Sequence, residues 1–312
     1  MPALLRAAGG AAAAALLLLG CTQTGAPGRS EGDGGDDPLR IMTAFYPLQF
    51  AADRVAGSGV EVQNLTTPGA EPHDLELTPR DVAELADADL VVYLSGFQPA
   101  VDTAVAEQVG DRAYDVARSA RLDLTFRPIG VEGDDSEKAG ATDPHFWLDP
   151  LLVADFADAV ADELGEVDPD AAQTYADNAA ELRTELEALD QDYTDGLASC
   201  ERSTTVVSHE AFGYLTRYGL DFEPIAGLSP EAEATAADLA HLQELIVEDG
   251  VTTVFTERLA SPKMAETLAD DLGVSTAVLD PIEGLSDDTA DEDYLSLMSE
   301  NLTALQQANG CS

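Results

Sequence analysis

The sequence predicts an α/β protein made of two α/β units that are joined by one long helix. Short apolar runs alternate with amphipathic helical stretches in both halves of the 312-residue chain, a pattern typical of parallel sheets covered by helices. Between the halves, residues 169–197 carry an apolar stripe at three- and four-residue steps, which is the period of an α-helix. A helix of about 29 residues at about 1.5 Å per residue spans roughly 40 Å and suits a rigid connector.

The first α/β unit contains three predicted strands and three predicted helices. The clearest helix start is Thr78-Pro79, because Thr is a good N-cap and Pro suits the first turn. The clearest strand is the apolar run from Leu90 to Leu94. In chain order the elements are strand 40–45, helix 47–56, strand 60–65, helix 78–86, strand 89–94 and helix 98–109.

The middle of the chain interrupts this alternation. Residues 130–140 place acidic side chains among glycines and predict an exposed acidic loop. A helix over 151–164 follows, and the long helical stretch comes after it. A pair of helices broken near Asp190 is the alternative to one continuous connector.

The second α/β unit brings two candidate site residues to strand ends. Its predicted elements are strand 203–207, helix 211–218, strand 222–226, helix 229–247, strand 252–256, helix 262–272 and strand 275–279. His209 follows the first of these strands and Asp280 follows the last. Because open α/β sheets bind ligands at the carboxyl ends of their strands, both residues are candidates for one site.

The N-terminus predicts export and a lipid anchor. Arg6 precedes an apolar stretch that is too short to span a membrane and that ends in Leu-Leu-Gly before Cys21. This resembles a bacterial lipobox, in which Cys21 receives the lipid; an ordinary signal peptide with an incidental Cys is the alternative. The predicted divisions are a signal peptide at 1–20, lipidated Cys and flexible tether at 21–38, N-terminal lobe at 39–150, helical connector at 151–198 and C-terminal lobe at 199–312.

Charge and cysteine content limit the function further. The net charge is −45, from 60 acidic and 15 basic residues, and a field of that sign repels nucleic acid. With Cys21 assigned to the lipid, Cys200 and Cys311 remain, and in an oxidising compartment we expect them to form a disulfide. Two free buried thiols are the alternative. The sequence has no Cys-x-x-Cys motif, so neither redox catalysis nor a zinc ribbon is indicated.

Three of the four histidines lie in loop-like contexts and predict a metal site. His73 and His145 each follow a proline, and His209 follows a strand end. Imidazole is the commonest ligand for metals such as zinc, although each histidine alone could be an exposed loop residue, a half-buried side chain or a helix cap. His241 lies within a predicted helix, so we expect a surface or packed residue there rather than a metal ligand. Glu257 and Glu210 are candidates for orienting a ligand imidazole, and Glu71 is a further candidate.

The local motifs around these residues resemble one family, the substrate-binding lipoproteins of ABC-type zinc and manganese uptake transporters, in its zinc-type branch. The resemblance covers residues 38–310 and rests on Pro72-His73-Asp74, on the segments 145–150 and 208–214, and less specifically on 279–281. It implies His73, His145, His209 and Asp280 as metal ligands. It also implies two Rossmann-like lobes joined by one long rigid helix, with the ion in the cleft between them, and a monomer that delivers zinc to a membrane permease.

The third ligand position bears on which metal is bound. Manganese-type relatives usually carry a carboxylate there, whereas this chain has His209, and three imidazoles with one carboxylate favour zinc over the harder manganese ion. Two features depart from the family: the acidic loop at 130–140 contains no histidine, and Pro72 stands where some relatives carry Glu. Alternatives are a manganese- or iron-binding member, an adhesin-type lipoprotein with a structural metal, and a secreted zinc hydrolase. The sequence lacks a His-Glu-x-x-His motif, so we expect a binding protein and no enzyme.

Overall fold

The computed structural model describes residues 38–125, 140–232 and 234–312. The predicted signal peptide, Cys21 and all but the last residue of the tether lie outside these ranges, as does the acidic loop apart from Gly140. None of the described helices is long and apolar enough to cross a membrane.

Four parallel strands form the first sheet, in the order β2-β1-β3-β4. The strands are Leu39–Thr43 (β1), Val60–Asn64 (β2), Leu90–Tyr93 (β3) and Ala113–Asp115 (β4), and the helices are Tyr46–Ala56 (α1), Pro79–Asp87 (α2) and Pro99–Gln108 (α3). The helix α2 begins as predicted, with Thr78 accepting a hydrogen bond from the Asp81 N–H and Asp81 accepting one from the Thr78 N–H. The short strand β4 is not among the predicted elements, because three residues are too few to show a period.

Two helices connect the first sheet to the second. They are Pro150–Val167 (α4) and Ala172–Leu197 (α5). The helix α5 continues unbroken for 26 residues through Asp190, so the alternative of two shorter helices is wrong. Its predicted apolar stripe is buried, and it packs against α4 and α1 on the side of the first sheet. The same helix also contacts the last helix of the chain (residues 294–309), so one continuous element packs against both halves of the molecule.

Four parallel strands form the second sheet, in the order β6-β5-β7-β8. The strands are Thr204–His209 (β5), Asp221–Ala226 (β6), Thr253–Thr256 (β7) and Ser275–Val278 (β8), and the helices are Ala236–Glu248 (α6) and Lys263–Leu272 (α7). The predicted start of α6 near Ser229 is wrong. Thr235 caps the helix instead, through reciprocal hydrogen bonds with Asp238.

The C-terminal helix Tyr294–Asn309 (α8) returns to the interior and is not among the predicted elements. It contacts α5, β5 and β8. Tyr294 is fully buried, and its hydroxyl donates a hydrogen bond to the Trp147 carbonyl at 2.5 Å. The structure forms the predicted disulfide between Cys200 and Cys311, which ties the end of α8 to the segment that follows α5.

The apolar core has two parts. The larger part runs without interruption from the first sheet through α4 and α5 to the inner side of the second sheet. The smaller part lies between the second sheet and the pair α6 and α7, and it includes Val206, Leu242 and Val254. Since the larger core includes residues of both sheets, burial of apolar surface holds the two lobes together.

Candidate metal centre

Four side chains converge between the two sheets. His73, His145, His209 and Glu283 each offer one donor atom, and these atoms all lie within 4.8 Å of one another. The Nε2 atoms of the three histidines lie 3.4, 3.1 and 3.4 Å from the same oxygen, Glu283 Oε1. His145, His209 and Glu283 are buried, whereas the His73 side chain is 11% exposed. Solvent therefore reaches the cluster mainly at His73.

The strand ends explain why these residues meet. His209 is the last residue of β5, Glu283 follows β8, and His73 lies in the loop after β2. The carboxyl ends of parallel strands meet at one edge of a sheet, so the loops after β5 and β8 face the same space. Two sheets thus contribute donors from opposite sides of one cleft.

The His73 loop is fixed by a buried amide. Gln98 Nε2 donates to the Pro72 carbonyl and to Thr66 Oγ1, both at 3.0 Å. The ring of Phe97 also packs edge-on against His73, with ring centroids 4.6 Å apart. Together with the hydrogen bond from the Gly69 N–H to the Leu285 carbonyl at 2.7 Å, these contacts hold the proline-containing loop in place.

His145 is oriented by a carboxylate two residues before it. Asp143 Oδ1 accepts the backbone N–H of His145 at 2.9 Å and lies 2.7 Å from its Nδ1. A carboxylate can only accept here, so Nδ1 carries the hydrogen and Nε2 is left to bind a metal. Asp143 was not among the candidate residues, although its position in the same turn as His145 is a usable sequence signal.

His209 has the same arrangement with a different partner. Its Nδ1 lies 2.5 Å from Glu257 Oε1, and the Ser208 hydroxyl donates to that same oxygen. Its Nε2 is buried with no hydrogen-bond partner among the described residues. Glu257 therefore lies where the sequence suggests, whereas Glu210 lies near Asp143 and makes no hydrogen bond to an imidazole nitrogen of the described cluster.

Asp280 is the predicted ligand that the structure does not bring to the histidines. Its Oδ1 accepts the Ile282 N–H at 2.8 Å, and its Oδ2 lies 3.0 Å from Arg258 Nε. Glu283 takes its place, because Ile282 adopts a φ of +57° that turns the chain between the two carboxylates. Such a backbone conformation costs a β-branched residue about 1–3 kcal/mol. The correction moves the carboxylate of the cluster three residues along the chain.

The charges in the cluster stabilise each other. Burial lowers the pKa of His209, but Glu257 and Glu283 outweigh it and raise that pKa to about 10. Burial likewise opposes protonation of His145, and Asp143 with Glu283 raises its pKa overall. Burial raises the pKa of Glu283, but the three imidazoles hold it well below its usual value. The cluster therefore favours positive charge at its centre, where a proton or a cation can supply it.

Comparison with known proteins identifies the family. Residues 41–308 match the family described as the periplasmic zinc-uptake complex component A, ZnuA. The chain belongs to the ZnuA family. The chain is 34% identical to the high-affinity zinc uptake system protein ZnuA of Bacillus subtilis over 305 residues, which cover 93% of each chain. The predicted family is thus confirmed.

A second ZnuA-family relative is longer than this chain. The zinc-binding lipoprotein AdcA of Streptococcus pneumoniae is 35% identical over 281 residues, which cover 87% of this chain and 56% of AdcA. This chain therefore spans just over half of that relative.

Solved structures of the ZnuA family share the fold. The Zn(II)-bound ZnuA-like domain of Streptococcus pneumoniae AdcA aligns with a TM-score of 0.72 at 33% identity, covering 88% of this chain and 99% of that domain. The laminin-binding protein Lmb of Streptococcus agalactiae, described as a bifunctional protein with adhesin and metal transporting activity, aligns with a TM-score of 0.73 at 28% identity, covering 86% and 99%. The predicted class of two α/β lobes is confirmed.

Proposed function

We propose that this chain is the extracytoplasmic zinc-binding component of an ABC-type importer, which captures zinc and delivers it to a membrane permease. One observation carries the proposal: three imidazole Nε2 atoms surround one oxygen of Glu283 in a buried cleft. Membership of a zinc-uptake family supports it.

The distances from Glu283 Oε1 to the three imidazoles are close to those of tetrahedral zinc, and all four donor atoms lie within 4.8 Å of one another. With bonds of about 2.0–2.2 Å, two ligands of a tetrahedral zinc ion lie about 3.3–3.6 Å apart. The separations from Glu283 Oε1 to the three Nε2 atoms are 3.1, 3.4 and 3.4 Å. In this proposal His73, His145, His209 and Glu283 are the ligands, and zinc replaces the protons that the metal-free cluster holds.

The donor set also favours capture over catalysis. Four protein donors fill a tetrahedral zinc ion, whereas a catalytic zinc keeps one position open for water. Three nitrogens and one oxygen favour zinc over manganese, which prefers oxygen ligands. The proposal places a monomer on the extracytoplasmic face of the membrane, with Cys21 carrying the lipid.

The test is the metal content of the purified domain 22–312 after loading from an equimolar mixture of zinc, manganese and iron(II). Ion mass spectrometry is expected to find about one zinc per chain, as a single closed site requires. The His73→Ala and Glu283→Ala variants should lose it, and the matched control His241→Ala should keep it because His241 is exposed on α6. Manganese in place of zinc would contradict the selectivity, and no stoichiometric metal would contradict the proposal.

An adhesive role is the second candidate, because the related Lmb is described as an adhesin that also transports metal. If the metal were only structural, a chelator would remove it only with unfolding. A transport site should instead empty and refill while the far-ultraviolet circular dichroism stays constant. Binding of the zinc-loaded and metal-free domain to immobilised laminin tests adhesion separately.

A further inference from the structure

The segment that carries Glu283 has a constrained backbone. Ile282 is fully buried and has a φ of +57°, in the left-handed region that β-branched residues rarely adopt. A residue stays in such a conformation only when its surroundings fix it. The contacts around residues 280–282 therefore decide where the next side chain, Glu283, points.

The Asp280 side chain makes the central contacts. Its Oδ1 accepts the N–H of Ile282 at 2.8 Å, which closes a turn over residues 280–282. Its Oδ2 lies 3.0 Å from Arg258 Nε, and Arg258 Nη2 also binds Glu300 at 2.9 Å. Asp280 is 4% exposed, so Arg258 supplies the positive charge that a buried carboxylate requires.

The backbone on either side of this turn is held by two other elements. Asn301 on α8 accepts the Asp280 N–H at 2.8 Å and donates to the Asp280 carbonyl at 2.6 Å. Trp147 Nε1 donates to the Pro281 carbonyl at 2.8 Å. Trp147 lies two residues after His145, so this bond also ties the Glu283 turn to a second segment of the cluster.

We propose that Asp280 is a positioning residue of the metal site, which fixes Ile282 in its left-handed conformation and thereby aims Glu283 at the three imidazoles. Asp280 does not touch the metal and acts only through Glu283. This inference rests on the proposed function, in which Glu283 is a zinc ligand.

A double-mutant cycle on the domain 22–312 tests the proposal. Asp280→Ala is expected to lower zinc affinity by about 10- to 100-fold, the usual range for groups that orient a metal ligand. In a Glu283→Gln background the same substitution should change zinc affinity by less than about twofold, because no carboxylate remains to be aimed. Equal losses in both backgrounds would overturn the proposal.

Conservative variants separate positioning from direct ligation. Asn forms the same turn as Asp, and Ser forms it more weakly. Zinc affinity should therefore fall in the order parent, Asp280→Asn, Asp280→Ser, Asp280→Ala. If Asp280→Ala does not fold, Asp280→Ser replaces it in the double-mutant cycle. If Asp280→Asn lost as much affinity as Asp280→Ala, Asp280 would act as a ligand and the proposal would fail.

A spectroscopic readout and a control complete the test. Loaded with cobalt(II), Asp280→Ala should show the visible spectrum of Glu283→Gln, because both lose the same carboxylate, and a spectrum like the parent's would contradict the proposal. Glu300→Gln is the matched control, since it removes the other carboxylate on Arg258 and should leave zinc affinity within about twofold. If Glu283→Gln itself leaves zinc affinity unchanged, the proposed ligand set fails; if only the cycle is additive, this inference alone fails.

Discussion

The replacement Glu257→Gln tests how the protein around the metal site sets zinc affinity. Glu257 Oε1 lies 2.5 Å from His209 Nδ1, and its carboxylate is buried behind the imidazole. Gln keeps an acceptor oxygen at that place but removes the negative charge. The variant therefore changes the electrostatics of one ligand with little change in shape.

The loss of zinc affinity in Glu257→Gln can be estimated by comparing how strongly the carboxylate attracts zinc and how strongly it attracts the protonated His209 that zinc displaces. At an effective dielectric constant of 20, a carboxylate attracts a divalent ion about 6.5 Å away by about 5 kcal/mol and an imidazolium about 4 Å away by about 4 kcal/mol. The zinc form therefore loses about 1 kcal/mol more than the protonated form, or about fivefold in affinity. Looser orientation of the His209 ring lowers zinc affinity further. Mutating a group that orients a metal ligand usually lowers metal affinity by about 10- to 100-fold.

The assay is a competition titration of zinc between the domain and a chromophoric chelator at constant pH. We expect Glu257→Gln to lower zinc affinity by about 5- to 100-fold. Ser208→Ala is the matched control, because it removes the other hydrogen bond to the same oxygen and keeps the charge. An unchanged zinc affinity in Glu257→Gln, with thermal unfolding of the metal-free protein also unchanged, would refute the reasoning.

Three further predictions concern protons, metal preference and stability. Because the pKa of His209 is raised to about 10 and that of His145 is also raised, the metal-free site holds protons at pH 7 that zinc must displace. Zinc affinity should fall as pH falls, and calorimetry in buffers of different ionisation enthalpy should detect proton release; its absence would contradict the pKa directions. His209→Glu should lower zinc affinity more than manganese affinity in competition titrations, and an unchanged preference would contradict the role of the third imidazole. The disulfide joins residues 111 positions apart, so it constrains the unfolded chain. The double variant Cys200→Ser with Cys311→Ser should therefore lower the free energy of unfolding by about 2–5 kcal/mol in denaturant titrations and leave zinc affinity unchanged. Equal stability of the parent and the variant would contradict this prediction.

The histidines of the cluster could be proposed from sequence because local context marks them. His145 and His73 follow prolines in loops, and His209 ends a strand whose apolar run is visible in the sequence. The alternation of strands and helices likewise needs only local periods, which is why most elements of both sheets were predictable.

The fourth member of the cluster depends on contacts that no local pattern contains. Asp280 directly follows the predicted strand 275–279 and is therefore the natural candidate from sequence. The turn that diverts it is fixed by Asn301 on α8 and by Trp147. Both partners are distant in sequence, and the φ of Ile282 runs against its residue type. Tertiary contacts, rather than propensity, place Glu283 in the cluster.

The predicted start of α6 was wrong for a different reason, because the correct start could have been found from local sequence. Ser229 before Pro230 has the form of a helix start, yet Thr235 and Asp238 form the capping box that begins the helix. That three-residue spacing is visible in the sequence, so local chemistry alone could have located the start. Two competing caps lie six residues apart, and the one with the reciprocal partner is used.

The crystal structure of the zinc-loaded domain, with anomalous difference maps recorded on both sides of the zinc absorption edge, tests the central claim most directly. We predict one zinc peak bonded at about 2.0–2.2 Å to Nε2 of His73, His145 and His209 and to one oxygen of Glu283. In that structure Asp280 should remain paired with Arg258, with Oδ2 about 3.0 Å from Nε. A peak bonded to Asp280, or no zinc peak between the two sheets, would contradict the account.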